Sequence, residues 1–284
     1  MAEHIVPKTD HLPPLDIPYV EYIQGAPIEA HFTPSRRQAT KDRFELEMNR
    51  SLAAPELPRP ALPEMKPYEP IANLVEKTLD SADIVAFGEN HLSLASFRVL
   101  TDLIPVFKRK NVKVFGVEGM VYDKEKRLKN DGMATTGPNH RPYDPDFNLQ
   151  TLIDTFKANG IEVVPLDHFY LTRHRHQRSA HTGLSRADRN IRRLKEMNYY
   201  AARELLSHKR KGKVVALVGR QHINTTQGVR GLAEATGGVG IGIYERAGIR
   251  VGYGTKSTDL RPGPNGELKT HDDITGDLQI FTAE

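Results

Sequence analysis

Lys213-Val214-Val215-Ala216-Leu217-Val218-Gly219-Arg220-Gln221-His222 carries an unbroken apolar run that stops at a glycine and then delivers an imidazole. An apolar run without polar alternation is the pattern of a strand buried on both faces, as in a parallel sheet. The chain repeats this arrangement in Ile84-Val85-Ala86-Phe87-Gly88-Glu89-Asn90-His91. Each copy reads as a strand whose carboxyl end presents ionisable side chains, and in open α/β sheets that edge is where ligands bind. Val114-Phe115-Gly116-Val117 before Glu118, and Val163-Val164-Pro165-Leu166 before Asp167 and His168, continue the punctuation. Four strands are therefore expected to bring carboxylates and imidazoles to one rim.

Helical periodicity fills the intervals. Ile71 to Leu79 reads as a helix, and Leu94, Phe97, Leu100, Ile104 and Phe107 mark a second helical face that Pro105 should bend. Leu149, Leu152, Ile153 and Phe156 form another, closed by Asn159-Gly160. A long helix from Ser185 to Ser207 should bury Ile191, Leu194, Met197, Ala201 and Leu205. Tyr122 to Asp146, with three prolines and two glycines, reads as a long loop over the strand ends. Val239 to Tyr244 makes a fifth strand, Arg250 to Thr255 a further extended segment, Pro262 to Gly266 a turn, and Leu278 to Phe281 an edge strand. The predicted fold class is α/β, a mostly parallel open sheet with helices on both faces and antiparallel additions near the C-terminus.

Composition sets the outer limits. Residues 1–70 hold 12 of the 19 prolines in the 284-residue chain and read as a Pro-rich, largely disordered leader. One docking helix is expected within it, where Phe44, Met48 and Leu52 recur at helical spacing. Residues 71–284 are expected to form a single α/β catalytic-like domain. Cysteine is absent, which excludes disulfides and thiolate metal sites. No apolar run reaches transmembrane length, and the first residues lack a secretory apolar stretch, so the expected origin is the cytoplasm without a Sec signal. The net charge of +4 and pI of about 9.1 favour acidic partners without implying nucleic acid.

Glu89 and His91 lie two residues apart, so in an extended segment they point the same way. A His beside carboxylates can act as general base, because the carboxylate fixes the tautomer and stabilises the imidazolium. His91 takes that role here, oriented by Glu89 or Glu118, with His222 as partner acid or second ligand. Alternatively the two His with Glu89 or Glu118 hold an octahedral divalent cation of the manganese type. The plainer readings are a helix cap for Glu89 and His91, an Arg partner for Glu118, ordinary helix-start polarity for His222, and loop chemistry for Asp167 and His168. Residues 168–193 are dense in Arg and His, with Asp188 as the only acid. The plainer reading of that strip is a solvated surface, and the functional one is an anion-binding strip in which His168, Arg173, Arg189 and Arg193, with Arg220 nearby, engage phosphate or carboxylate on a substrate. Few aromatics interleave these charges, so nucleic acid ranks low.

These motifs, in order and at strand ends, resemble the superfamily that joins erythromycin esterases, ChaN-like haem-binding lipoproteins and Tiki/TraB metalloprotease-like proteins. The resemblance spans about residues 80–245 and rests on Gly88-Glu89-Asn90-His91, Glu118, Asp167, Arg193-Leu194-Lys195-Glu196-Met197 and Gly219-Arg220-Gln221-His222. It implies catalytic roles for Glu89, His91, Glu118 and His222, with Asp167 beside them. Esterase-like members imply a metal-free His base; Tiki-like members imply a divalent cation on His91, Glu118 and His222. Haem ranks lower, since its lipoprotein carriers need a signal peptide and a lipid-bearing Cys that this sequence lacks. Arg220-Gln221 replaces the small pair common before the second His, and Asn90 replaces a small or hydroxyl residue, which alters the expected substrate.

Some bacterial toxins and type III effectors also resemble this superfamily, which implies translocation into a host cell and a host-cell protein as partner. The expected function is thus a hydrolase-like enzyme acting on a small-molecule, ester or peptide substrate, either metal-free in the esterase manner or divalent-metal-dependent in the Tiki manner. The alternative is a non-catalytic protein that binds haem, metal or an acidic partner on the same scaffold.

Overall fold

A computed structural model describes residues 45–64, 70–90, 93–122, 128–130, 144, 146–167, 186–245, 260–262, 268–270 and 276–282. Residues 45–53 form α1, followed by α2 (Ile71–Ser81), β1 (Ile84–Glu89), α3 (Ala95–Asp102), α4 (Ile104–Arg109) and β2 (Val112–Val117). The short strands β3 (Met120–Tyr122) and β4 (Leu128–Asn130) precede α5 (Leu149–Ala158), β5 (Glu162–Pro165) and the long α6 (Arg186–His208). A 3-10 turn (Lys209–Lys211) leads into β6 (Lys213–Gly219), α7 (Arg220–Ile223), α8 (Leu232–Thr236) and β7 (Val239–Glu245). β8 (Leu260–Pro262), β9 (Leu268–Thr270) and β10 (Leu278–Thr282) complete the order.

Six strands form one sheet in the order β10-β7-β1-β6-β2-β5, and every pairing is parallel. The apolar runs explain this. β1 and β6 occupy the centre, where both faces are covered, and their side chains alternate between two cores. Val85, Phe87, Val215 and Leu217 pack with α2, α3, α4 and α5, where Phe115 stacks on Phe156 at 3.9 Å and Phe107 closes the cluster. Ile84, Ala86, Val214, Ala216 and Val218 pack on the other face against Met197, Ala201 and Leu205 of α6 and Leu232 of α8.

The expected C-terminal antiparallel additions are not part of this sheet. β10 joins parallel to β7, because the chain returns to the amino edge before entering it, and the antiparallel pairs β3-β4 and β8-β9 are separate two-stranded ribbons. The β3-β4 pair also occupies the start of the stretch read as loop. Pro105 does more than bend a helix: it sits at the start of α4 and divides it from α3, since its ring cannot continue the preceding turn. The extended segment expected at Arg250 to Thr255, the turn at 263–266 and most of the 123–146 stretch lie outside the described residues.

The strand order locates the site. From β1 the chain crosses to β2 and β5 through helices on one face; from β6 it crosses to β7 through helices on the other. The neighbours β1 and β6 therefore part at their carboxyl ends, which opens a crevice at the topological switch point. Glu89 and Gly219 are register partners there. Gly88 lets α7 close in, since a Cβ at that position would lie 2.7 Å from Ile223 Cδ1.

Residues 45–64 pack against the same domain. Met48 is buried, Glu47 accepts from Tyr199 Oη at 3.3 Å and pairs with Arg203 at 3.2 Å on α6, and Arg59 ion-pairs with Asp277. Phe44, the first residue of the expected docking stripe, lies outside the described residues. Among the described residues, no helix is long and apolar enough to cross a membrane.

Candidate functional site at the carboxyl ends of the strands

Glu118 follows β2 directly and hangs over the end of β6. Its backbone N–H extends the ladder by donating to Leu217 O at 2.9 Å, and its Oε2 accepts the Gly219 N–H at 2.6 Å. A charge-assisted bond of that length fixes the carboxylate, leaving Oε1 aimed into the rim. Oε1 lies 3.7 Å from His222 Nε2 and 3.7 Å from the Arg193 guanidinium. Asp167, 1% exposed, accepts from Arg193 at 2.7 Å and from the Gly119 N–H at 3.1 Å. Arg193, on the first half of α6, thus spans two buried carboxylates from adjacent strands and balances part of their charge.

His222 lies on α7, one turn past the end of β6, and is 7% exposed. Its Nδ1 is 2.6 Å from Asn198 Oδ1. Asn198 is itself 1% exposed, and its Nδ2 donates to Arg230 O at 2.8 Å. Since a carbonyl can only accept, that second bond fixes which end of the amide is nitrogen, so Oδ1 faces the imidazole as acceptor. His222 must then carry a proton on Nδ1, and in the neutral ring Nε2, on the side where Glu118 Oε1 lies, is the lone-pair nitrogen. Sequence reading missed Asn198. The available signal was a polar residue on the buried stripe of α6, beside Met197 and between Leu194 and Ala201.

Glu89 ends β1 and is buried, accepting the Ser96 hydroxyl of α3 at 2.7 Å. Its side chain therefore leans to the α3 face of the sheet, while Glu118, Asp167, Arg193 and His222 form one network on the α6 side. The strands that carry these carboxylates, β1 and β2, flank β6 and lie roughly two strand spacings, about 10 Å, apart. The guanidinium of Arg220 lies over the Tyr244 ring at 4.6 Å. Arg189 is on α6, and its side chain, with His91, His168 and Arg173, lies outside the described residues.

Among the described residues no group of three His, Asp or Glu is arranged to hold a metal ion. Glu118 and His222 are the described members of the expected ligand set, and the Arg193 cation already lies 3.7 Å from the Glu118 oxygen that faces His222. With His91 outside the described residues, the described part of the rim supplies two of the three expected ligands, and Arg193 competes there for Glu118.

No family model matches the chain, and no curated protein matches it. Solved structures do resemble it. RRSP, a MARTX toxin effector domain from Vibrio vulnificus, is 17% identical at a TM-score of 0.43, over 72% of this chain and 38% of that one. The type III effector HopBA1 is 13% identical at a TM-score of 0.41, over 79% of this chain and 99% of that one. ChaN of Campylobacter jejuni, solved with cofacial haem, is 12% identical at a TM-score of 0.41, over 75% of this chain and 91% of that one. The chain thus spans well under half of the Vibrio structure. Bacterial toxin and effector domains and a ChaN protein are therefore among the structures this chain is similar to.

Proposed function

We propose that the chain is a hydrolase-like enzyme working by metal-free acid/base catalysis at the switch point between β1 and β6. The observation that carries the reading is the pair of contacts at His222: Nδ1 2.6 Å from Asn198 Oδ1, and Nε2 3.7 Å from Glu118 Oε1. In this reading Nε2 removes a proton from water, the hydroxide oxygen adds to the carbonyl carbon of an ester or amide, and the proton on Nε2 passes to the departing oxygen or nitrogen. Glu118 stabilises the transient imidazolium; at that separation an effective dielectric of about 20 gives roughly 4 kcal/mol. Glu89 and His91 supply the facing half of the rim, with His91 as the second imidazole. Asp167 and Arg193 hold Glu118 in place, and Arg189, Arg173, His168 and Arg220 are the substrate-contacting candidates.

The translocated-effector part of the proposal rests on the resemblance of the motifs and on the proline-rich N-terminal stretch. Expression in a eukaryotic cell tests both parts. The wild-type chain should impair growth, and His222→Ala and Glu118→Gln should each abolish the effect at equal protein level and unchanged melting temperature. Removing a positioned acid/base group typically costs about 10²–10⁴ in rate, enough to silence such a phenotype. Full potency of both His91→Ala and His222→Ala would remove the catalytic claim.

A further inference from the structure

The opposite end of the sheet carries a concentration of charge that the rim chemistry does not use. α4 ends in Lys108, Arg109 and Lys110, and α5 ends near Lys157. The 3-10 turn before β6 is Lys209, Arg210 and Lys211, while Lys113 is the second residue of β2 and Lys213 the first of β6. Contacts join these into one surface. Lys108 reaches Asn159 at 3.4 Å, Lys211 reaches Glu162 at 2.6 Å, and Lys209 and Lys213 meet Asp83 at 3.0 and 3.6 Å. Lys110 meets Asp80 at 2.8 Å, and Arg109 meets Glu76 at 2.9 Å.

Glu204 lies 4.0 Å from His208 beside these groups. Among the described residues named in this cluster, nine cations meet the five carboxylates Glu76, Asp80, Asp83, Glu162 and Glu204, a local excess of four positive charges. The excess is real at neutral pH, because the lysines and Arg109 around Glu76 and Asp83 hold both carboxyls below their ordinary range, ionised. Helix C-termini favour a cation, which accounts for Lys108 and Lys157 but not for Lys113 and Lys213 on strands.

The composition of the patch selects its partner. Seven of the nine cations are lysine, whose compact, flexible charge suits a diffuse plane of phosphates; bidentate recognition calls for arginine. No described aromatic side chain is exposed, and the exposed large apolar residues, Leu46 and Leu62, belong to the 45–64 segment. Protein interfaces are poor in lysine and anchored by aromatics, and unpaired bases need aromatic stacking, so both are disfavoured. Duplex nucleic acid would want an element that enters a groove, whereas this end presents strand starts and helix ends.

We propose that this amino-end patch docks the protein onto an anionic phospholipid surface. β6 runs seven residues from Lys213 to Gly219, so the Glu118–His222 rim would stand about 20 Å beyond the patch, facing away from the bilayer. The proposal does not depend on what the rim catalyses.

Co-sedimentation of the full chain with phosphatidylcholine vesicles, with and without phosphatidylserine, tests it. Binding should require phosphatidylserine and disappear between about 0.1 M and about 1 M salt, as the Debye length contracts from about 10 Å to about 3 Å. The triple variant K108Q/K113Q/K157Q breaks none of the ion pairs named above and should keep its melting temperature. At roughly fivefold per cation near the surface, it should bind on the order of 100-fold more weakly. His222→Ala should bind as the wild type does. Equal binding to both vesicles, undiminished binding by the triple variant, or preference for a DNA duplex or a polyglutamate peptide over phosphatidylserine vesicles would each overturn the proposal.

Discussion

Replacing Asn198 by alanine tests the base assignment without touching an ionisable group. The wild-type amide makes two buried bonds, one to His222 Nδ1 at 2.6 Å and one to Arg230 O at 2.8 Å. Their net loss costs about 0.5–1.5 kcal/mol each, and stranding a buried ring N–H costs about 1–3 kcal/mol, so stability should fall by roughly 2–6 kcal/mol. The imidazole can escape part of that cost by turning or by moving its proton to Nε2, which leaves no lone pair on the Glu118 side. Ring ¹⁵N chemical shifts of His222 report this directly. In the wild type at neutral pH, Nδ1 should give the protonated signature and Nε2 the lone-pair signature. In Asn198→Ala the preference should shrink or reverse, and Asn198→Asp, which keeps the acceptor and adds charge, should restore it and raise the His222 pKa. An Nε2–H tautomer in the wild type, or an unchanged tautomer in Asn198→Ala, would refute the argument that this amide prepares a base.

Other outcomes follow from the same contacts. Arg193→Met should destabilise by about 3 kcal/mol, because it strands Asp167 and leaves Glu118 underbalanced; adding Asp167→Asn should recover part of the loss, measured by urea unfolding. Phe156→Ala removes the ring that stacks on Phe115 and touches Phe107, and its midpoint should fall by the equivalent of about 3–5 kcal/mol. Burial and Lys211 hold His208 below its ordinary 6.5, so the native state binds fewer protons there than the unfolded chain. Its contribution is complete above about 6.5 and is lost as pH falls through the lowered value, so the melting temperature should decline on acidification below 6.5, less steeply in His208→Asn. An equal slope in both proteins would show that other groups govern it.

The parallel sheet was legible because strands buried on both faces cannot alternate. Val214 to Val218 and Ile84 to Phe87 have no polar member, and these two runs are the central pair of the sheet. The direction of the last strand was not legible. Leu278–Thr282 reads as an edge strand in either sense, and only the return of the chain to the amino edge makes it parallel to β7. The Pro105 break was half legible: a ring that interrupts one helical stripe bends it or divides it according to the packing around Leu103.

At the site, residue types and strand-end positions came from the sequence, since a glycine after a buried run followed by Glu or His leaves those side chains few places but the rim. Glu89, Glu118, Asp167 and His222 were named on that ground alone. Which of them meet was decided by tertiary structure. Glu89 turns to Ser96 on one face while Glu118 turns to Arg193 and His222 on the other, because strand side chains alternate in direction and Glu118 falls one residue beyond its strand. Asn198 joins His222 across 24 residues of chain, a pairing that exists only once α6 is laid on β6. The amino-end basic patch arises the same way. Its members lie in three stretches, 108–113, 157 and 209–213, and the sheet places these side by side, since local patterns record burial and direction while proximity between segments is set by packing.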